Sequence, residues 1–399
     1  MSHLYSTIDS TNQASQLDQV CVPPEYGPQV LFFSGGSALH KTCQALIEHT
    51  HNSIHLLTPF DSGGSTAELR KHLNIPALGD LRARLIALVD KKREDYCEII
   101  ALFSHRFSST ISQKDALNVL QNLIIGHVKN ISKISQPLRE IIQHYLRVFV
   151  KSINNDFNFS RASIGNLILA GGYLTYKQLE PCLFELSDKM SIRGKVRLTV
   201  NENFHLVASL ENGETLIGQH KITGKETSPI RSPISSIHLS AELHNNHPVN
   251  CCISDINRKL IENADLICYP PGSFYSSIVA NFLPYGVSQA INNNLNAKIY
   301  IPNLGKDPES LGLSTNDNIE KIVRFLGKHL SVNKGYENKP SNLLTHILID
   351  HNKQYYNGPV NETKWRKLGI QVIKRDLISD KYAPYYDPEK LSKAVLSLG

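Results

Sequence analysis

The chain has 399 residues, of which 41% are hydrophobic and 20% charged, with 42 Lys and Arg against 36 Asp and Glu. This length and composition exclude a minimal single-core protein and a disordered or fibrous chain. The small basic excess forms no cluster interleaved with aromatic residues, which argues against a nucleic-acid-binding protein.

The N-terminal part of the chain begins with a polar segment and then alternates between strand and helix patterns. Residues 1–27 predict a flexible tail that leads into the fold. The stretches "QVLFFS" and "NSIHLLTPF" predict strands, whereas "ALHKTCQALIEHT" and "LRARLIALVD" predict helices. This alternation is typical of a parallel sheet covered by helices.

The middle of the chain departs from this alternation twice. Residues 91–190 carry almost only helical patterns, and we interpret them as a helical insertion. Residues 194–240 show alternating strand patterns, with Asn212-Gly213 between two of them. Asn-Gly in this context is a strong hairpin signal, so we interpret residues 194–240 as a small β excursion.

The alternation resumes in the C-terminal part. The stretches "ADLICYP", "AKIYIPN", "LTHILID" and "IQVIKRDL" predict strands, and "SSIVANFLPYGVSQAI" and "NDNIEKIVRFLGKHL" predict helices. Parallel strands are joined by right-handed crossovers. We therefore predict one Rossmann-like, doubly wound, mostly parallel α/β domain over residues 28–399 that contains both departures.

The sequence also indicates the compartment. No apolar run approaches the roughly 20 residues that cross a bilayer, and no early stretch has the pattern of a signal peptide. The seven cysteines show no Cys-x-x-Cys spacing, which suits a reducing environment better than a disulfide framework. We expect a cytoplasmic protein without membrane contact.

Loops rich in glycine and serine follow three predicted strands. These loops are Ser34-Gly35-Gly36-Ser37, Asp61-Ser62-Gly63-Gly64-Ser65-Thr66 and Pro270-Pro271-Gly272-Ser273, and Asn303 follows a fourth strand. Ligands of doubly wound sheets bind at the carboxyl ends of the strands, and glycine loops at helix starts present N–H groups to anions. Each loop alone could be an ordinary turn, but the three together predict a phosphate site.

Three charged residues near these loops are candidates for chemistry. Asp61 could hold a divalent cation, orient a hydroxyl, or cap the following helix. Asp80 could likewise be a cap, or it could share a site with Arg82, whose guanidinium suits phosphate.

The standard nucleotide and hydrolase motifs are not met. The chain lacks both the G-x-G-x-x-G fingerprint and the G-x-x-x-x-G-K-[ST] loop, and Ser37 is not in a G-x-S-x-G elbow. The histidines of "HTHNSIH" and "HNNHP" lie in polar linkers without Cys or acidic partners, which is more typical of structural or solvated side chains than of a zinc site.

Six ordered motifs resemble the CofD-like family, which joins 2-phospho-L-lactate transferase with the gluconeogenesis factors. They are Gly35-Gly36-Ser37, Asp61–Ser65, "LGDLR" at 78–82, "SIGN" at 163–166, "PPGSFYSSI" at 270–278 and the strand ending at Asn303. The resemblance covers residues 29–330. Ser62 stands where the family has a second aspartate, and this departure puts catalysis in more doubt than nucleotide binding.

The resemblance implies that a nucleotide diphosphate, either a nucleotide sugar or a nucleotide-diphospho-acid, lies across the strand ends. The first two loops would hold its phosphates, Asp61 would take Mg²⁺, and Asn166 and Asn303 would contact base, sugar or substrate. An active enzyme would transfer a phosphorus-containing group to an acceptor hydroxyl.

Two alternatives stay open at this point. The chain could be a non-catalytic nucleotide-sugar-binding regulator of carbon metabolism or cell-wall synthesis, which Ser62 favours. It could also be a scaffold that uses the helical insertion as a partner surface. Polar loops such as 224–250 are candidates for contact with a second copy, so a homodimer is a further expectation.

Overall fold

The computed structural model describes residues 22–36, 38–224, 226–328, 330 and 339–399. Its strands are β1 (Val30–Ser34), β2 (Ile54–Leu57), β3 (Lys195–Leu198), β4 (His205–Leu210), β5 (Thr215–Ile217), β6 (Ile234–Ser240), β7 (Leu266–Tyr269), β8 (Ala297–Tyr300), β9 (His346–Asp350) and β10 (Gln371–Arg375). Its α-helices are α1 (His40–Leu46), α2 (Gly64–Leu73), α3 (Gly79–Ala87), α4 (Tyr96–Ser104), α5 (Gln113–Ile125), α6 (Lys129–Ser132), α7 (Gln136–Ser152), α8 (Ile164–Tyr176), α9 (Leu179–Lys189), α10 (Gln219–Thr223), α11 (Asp255–Glu262), α12 (Val287–Asn293), α13 (Thr315–Lys328), α14 (Glu362–Lys367) and α15 (Pro388–Leu396).

The central sheet has seven strands in the order β10-β9-β8-β7-β1-β2-β3, and each neighbouring pair is parallel. The chain moves outward from β1 through β2 to β3, then returns to β7 on the other side of β1 and continues to β10. The predicted doubly wound α/β sheet is confirmed. The strand order reverses between β1 and β7, which creates a crevice at their carboxyl ends.

The first strand is buried on both faces, because its alternating side chains enter two separate cores. Val30 and Phe32 pack into a core with α1, α3 and the helices α4 to α9. Leu31 and Phe33 pack into the opposite core with α12, α13 and the small β-sheet. The predicted helical insertion over 91–190 therefore covers one face, where α4 to α9 lie.

The predicted β excursion over 194–240 divides in the structure. Strand β3 pairs in parallel with β2 and becomes an edge of the main sheet. The remaining strands form a separate antiparallel sheet in the order β5-β4-β6. Its hairpin turn contains Gly213 at φ +88°, as the Asn-Gly pair predicts.

The predicted helix "SSIVANFLPYGVSQAI" is not continuous. It begins as a π-helical turn at Phe274–Ile278, continues as a 3-10 turn at Val279–Phe282, and resumes as α12 only at Val287. Pro284 lacks an N–H donor and Gly286 has φ +92°, so a regular helix cannot pass through this segment.

Most of the predicted tail, residues 1–21, lies outside the described residues, and Pro24–Tyr26 forms a 3-10 turn. The last helix, α15, is capped by Asp387, whose carboxylate accepts hydrogen bonds from the backbone N–H groups of Glu389 and Lys390. Within the described ranges, no helix has both the length and the apolar character needed to span a membrane.

Candidate functional site

The loops after β1, β2 and β7 meet beside the crevice where the strand order reverses, and they surround a cavity of about 400 Å³. Helix α3, Arg106 and the segment around α10 complete its wall. The lining residues are Gly35, Gly36, Ala38, Asp61, Gly63, Gly64, Ser65, Thr66, Gly79, Asp80, Arg82, Ala83, Arg106, Gln219, His220, Thr223, Glu226, Gly272, Ser273 and Ser277.

Most of the predicted site residues come together at this cavity. Those that line it are Gly35, Gly36, Asp61, Gly63, Gly64, Ser65, Asp80, Arg82, Gly272 and Ser273. Ser62, Asn166, Pro271 and Asn303 lie outside the lining, and Ser37 lies outside the described residues.

The loop after β2 folds around Asp61. The carboxylate Oδ1 of Asp61 accepts a hydrogen bond from the Gly63 N–H at 3.1 Å, which turns the chain into α2. The next N–H, that of Gly64, donates to Oε2 of Glu226 at 3.1 Å. A Cβ at Gly63 would lie 2.9 Å from Oε1 of Glu226, so only glycine lets this carboxylate approach the loop so closely.

Arg70, in the last turn of α2, ties this loop to the segment before β4. Its guanidinium donates to the backbone oxygens of Asp61 and Phe204 at 2.7 and 2.6 Å and to Oδ1 of Asn203 at 2.6 Å. Burial lowers the pKa of Arg70 to about 10, and the Asp61 carboxylate opposes this shift. Arg70 is thus still charged at neutral pH and holds the loop as a structural cation.

Arg82 projects from α3 into the cavity wall and is 9% exposed. It donates to Oγ of Ser163, while its Nε has no hydrogen-bond partner among the described residues. Burial first, and then the nearby Arg106, lowers the pKa of Arg82 to about 10, against the opposing effect of Asp80. The two guanidiniums make this side of the cavity suitable for an anion.

The motif "SIGN" at 163–166 serves to seat Arg82. Ser163 supplies its hydrogen-bond acceptor, and a Cβ at Gly165 would lie 2.8 Å from Cδ of Arg82 and 2.6 Å from the backbone oxygen of Phe103. Asn166 itself is buried at 1% exposure, with no partner for Oδ1 in the described part of the chain. The motif therefore acts on the cavity through Arg82.

Ser62 is turned away from the cavity and toward His220. Its Oγ lies 2.8 Å from Nδ1 of His220 and accepts a longer hydrogen bond, at 3.4 Å, from the backbone N–H of the same residue. His220 lines the cavity, so Ser62 positions a histidine there.

The third loop is held by side chains of the chain itself. Asn303 bonds both the N–H and the C=O of Gly272, and Asp307 accepts from the N–H of Phe274 at 2.7 Å. Glu309 accepts from the N–H groups of Tyr275 and Ser276 at 2.9 and 2.8 Å. The N–H groups at the helical turn after β7 are therefore bound by carboxylates of the chain itself.

Burial and the neighbouring Asp307 raise the pKa of Glu309 to about 7. Asn303 lines a second cavity, of about 340 Å³, on the other side of this loop.

Asp61 is the residue that we predict to bind Mg²⁺. Among the residues that the structure describes, no group of three or more His, Cys, Asp or Glu side chains is placed to hold a metal ion. Mg²⁺ in phosphate sites is commonly bound through one or two carboxylates together with phosphate oxygens of the substrate. The Asp61 carboxylate at the cavity wall fits an ion that arrives with such a ligand.

The sequence patterns missed Arg70, Arg106, His220 and Glu226. Arg70 resembles an ordinary basic residue of a last helical turn, and His220 and Glu226 lie in a polar segment far along the chain. Their roles depend on contacts such as that between Gly64 and Glu226, which are 162 residues apart. No local signal marks them.

Fold and cavity together define a doubly wound α/β protein with a glycine-lined, partly cationic crevice at its strand ends. The family model described as "2-phospho-L-lactate transferase CofD" matches residues 30–378, and the chain belongs to the CofD family.

Similar proteins agree with this assignment to the CofD family. The gluconeogenesis factor of Bacillus subtilis (strain 168) is 26% identical over 304 residues, which cover 75% of each chain. That of Halalkalibacterium halodurans is 26% identical over 311 residues, covering 75% of this chain and 74% of the relative. A crystal structure of a UPF0052 family protein from Bacillus halodurans superposes with a TM-score of 0.67 at 23% identity, over 93% of this chain and 99% of that one, and shares the fold.

Proposed function

We propose that the chain binds a nucleotide diphosphate, as a nucleotide sugar or a nucleotide-diphospho-acid, in the cavity at the carboxyl ends of β1, β2 and β7. One observation carries the proposal: two glycine loops and two guanidiniums, those of Arg82 and Arg106, line the same cavity. Its volume of about 400 Å³ is in the range of small-molecule sites. Mg²⁺ would be held by Asp61 together with ligand phosphates.

Thermal unfolding with added ligand tests this proposal. Wild type, Asp61→Ala and Arg106→Ala are heated with UDP, GDP, UDP-N-acetylglucosamine or UDP-glucose, each with and without Mg²⁺. A ligand at a hundredfold excess over its Kd adds about 2.7 kcal/mol of stability. We expect a Mg²⁺-dependent shift that Asp61→Ala loses and Arg106→Ala reduces.

A matched control separates this effect from a general loss of charge. Arg147→Ala removes an exposed arginine of α7 that does not line the cavity, and it should respond to ligand as wild type does. Absence of a shift with every nucleotide tested would refute the proposal and leave the glycine loops as turns.

A protein that binds a nucleotide at this site can be a regulator or an enzyme, and each function is favoured by a different observation. The relatives named gluconeogenesis factors favour a regulator of carbon metabolism, and we propose that it acts in the cytoplasm by binding a nucleotide sugar. In addition, Ser62 holds His220 instead of supplying a second carboxylate to the cavity.

The family model, whose description is a transferase, favours catalysis. In that reaction an acceptor hydroxyl oxygen would bond to the phosphorus nearer the acyl group, the bridging P–O bond would break, and a nucleoside monophosphate would leave. Release of monophosphate from a nucleotide-diphospho-acid by wild type but not by Asp61→Asn would establish the catalytic alternative.

A further inference from the structure

Glu226 occupies an unusual position for an exposed acidic residue. It follows α10, 162 residues after Gly64 in the chain, yet its carboxylate lies over the Gly63-Gly64 backbone. Oε2 accepts from the Gly64 N–H at 3.1 Å. The ion pairs found among the described residues do not include Glu226, so the backbone of this loop is the partner that the structure shows.

This contact places an anion at the start of α2, a helix of ten residues. The first N–H groups of a helix and its dipole attract negative charge, and a phosphate commonly binds at such a position. The carboxylate of Glu226 supplies one negative charge and two acceptor oxygens there. The carboxylate can therefore take the place of a phosphate group at this helix start.

A second, independent observation indicates that a ligand belongs in the same cavity. Arg82 and Arg106 line the cavity, and neither forms an ion pair with a carboxylate among the residues described. A guanidinium pairs well with phosphate oxygens. A phosphate in the cavity can supply that anionic partner, whereas Glu226 is bound to the loop on α2.

The charges around the cavity lead to the same conclusion. Three carboxylates, those of Asp61, Asp80 and Glu226, face two guanidiniums, those of Arg82 and Arg106. With Glu226 over Gly64, an incoming phosphate meets both a filled position and an excess of negative charge. Glu226 is exposed, so its side chain can leave the loop at little cost.

We propose that Glu226 is an affinity-determining residue that holds the phosphate position at Gly63-Gly64 until a phosphate-bearing ligand displaces its carboxylate. This proposal rests on the proposed function, because it assumes that such a ligand enters the cavity. Removing the charge of Glu226 should therefore strengthen ligand binding. A residue that only stabilises the fold, or that binds the ligand directly, gives the opposite result or none.

The test compares wild type, Glu226→Gln and Glu214→Gln by isothermal titration calorimetry with UDP, GDP and inorganic pyrophosphate, with and without Mg²⁺, at low ionic strength. Glu214 is an exposed residue of the β4–β5 hairpin and gives the same change in net charge. We expect Glu226→Gln to bind about three- to tenfold more tightly than wild type, as loss of a competing charge at a helix N-terminus implies. Glu214→Gln should match wild type.

The outcomes separate the two proposals. If wild type and Glu226→Gln bind with equal affinity, or if Glu226→Gln binds more weakly in Mg²⁺, the role of Glu226 is refuted while the nucleotide site stands. If none of the proteins binds any probe, the proposed function fails, and the role of Glu226 fails with it.

Discussion

Replacing Arg70 by Met tests how the loop after β2 is held in place. Three hydrogen bonds from this guanidinium, at 2.6 to 2.7 Å, would be lost. Charge-assisted bonds contribute about 2 kcal/mol each, or about 6 kcal/mol together. Against this stands the net cost of holding the charge at this buried site, where Asp61 offsets part of the burial, and the lowered pKa of about 10 puts that net cost at about 3 kcal/mol. The expected loss in the free energy of unfolding is therefore about 3 kcal/mol.

Equilibrium urea unfolding, followed by far-UV circular dichroism, measures this loss. Lys71→Met is the control, because Lys71 is the exposed neighbour in the same helical turn, and it should change stability by less than about 0.5 kcal/mol. Arg70→Lys should rescue little, since one ammonium group cannot serve three acceptors in a planar fork. Equal stabilities of Arg70→Met and Lys71→Met would show that the guanidinium does not hold the loop.

Three further predictions concern Gly165, the pair formed by Ser62 and His220, and His205. Gly165→Ala should cost about 1–3 kcal/mol, because its Cβ would meet a backbone oxygen at 2.6 Å. Gly327→Ala in α13, whose Cβ would make only an ordinary van der Waals contact with Leu343 at 4.0 Å, should be neutral or stabilising in the same urea experiment. Ser62→Ala and His220→Ala, combined in a double-mutant cycle, should give a coupling energy of about 1 kcal/mol, and additive effects would rule out their hydrogen bond. Burial lowers the pKa of His205 to about 4, so the unfolded state takes up a proton first and stability is lost as pH falls from 6.5 toward 4. His205→Gln should remove up to about 3 kcal/mol of that loss, and urea midpoints with the same pH slope as wild type would contradict this.

Local patterns were sufficient to predict the sheet and the position of the crevice. The run from Val30 to Phe33 predicts a strand, and in the structure the two faces of that strand enter separate cores. The glycine loops follow their strands directly, so once the sheet is parallel their meeting at one edge is a consequence of topology.

The remaining features depend on contacts between distant segments. The sequence pattern groups β3 with the antiparallel strands of the β excursion. The residues of β3 alone do not indicate that β2 is its neighbour. Similarly, the side chain of Asn303 bonds to Gly272 rather than lining the main cavity. The neighbour of β3 and the partner of Asn303 depend on which surfaces remain unpaired after the cores have packed. No short stretch of the sequence contains that information.

The reversal of strand order between β1 and β7 has a consequence for the order in which the protein is completed. The backbone N–H of Gln29, just before β1, donates to Asp265, just before β7, at a separation of 236 positions in the chain. Contacts of such separation form late, because a long loop must close first. During synthesis, the first glycine loop emerges early but acquires its opposite wall only after β7 has been made. Ligand recognition at the crevice would then report that the central sheet has assembled, and a ligand present in the cell could select completed chains over partly folded ones.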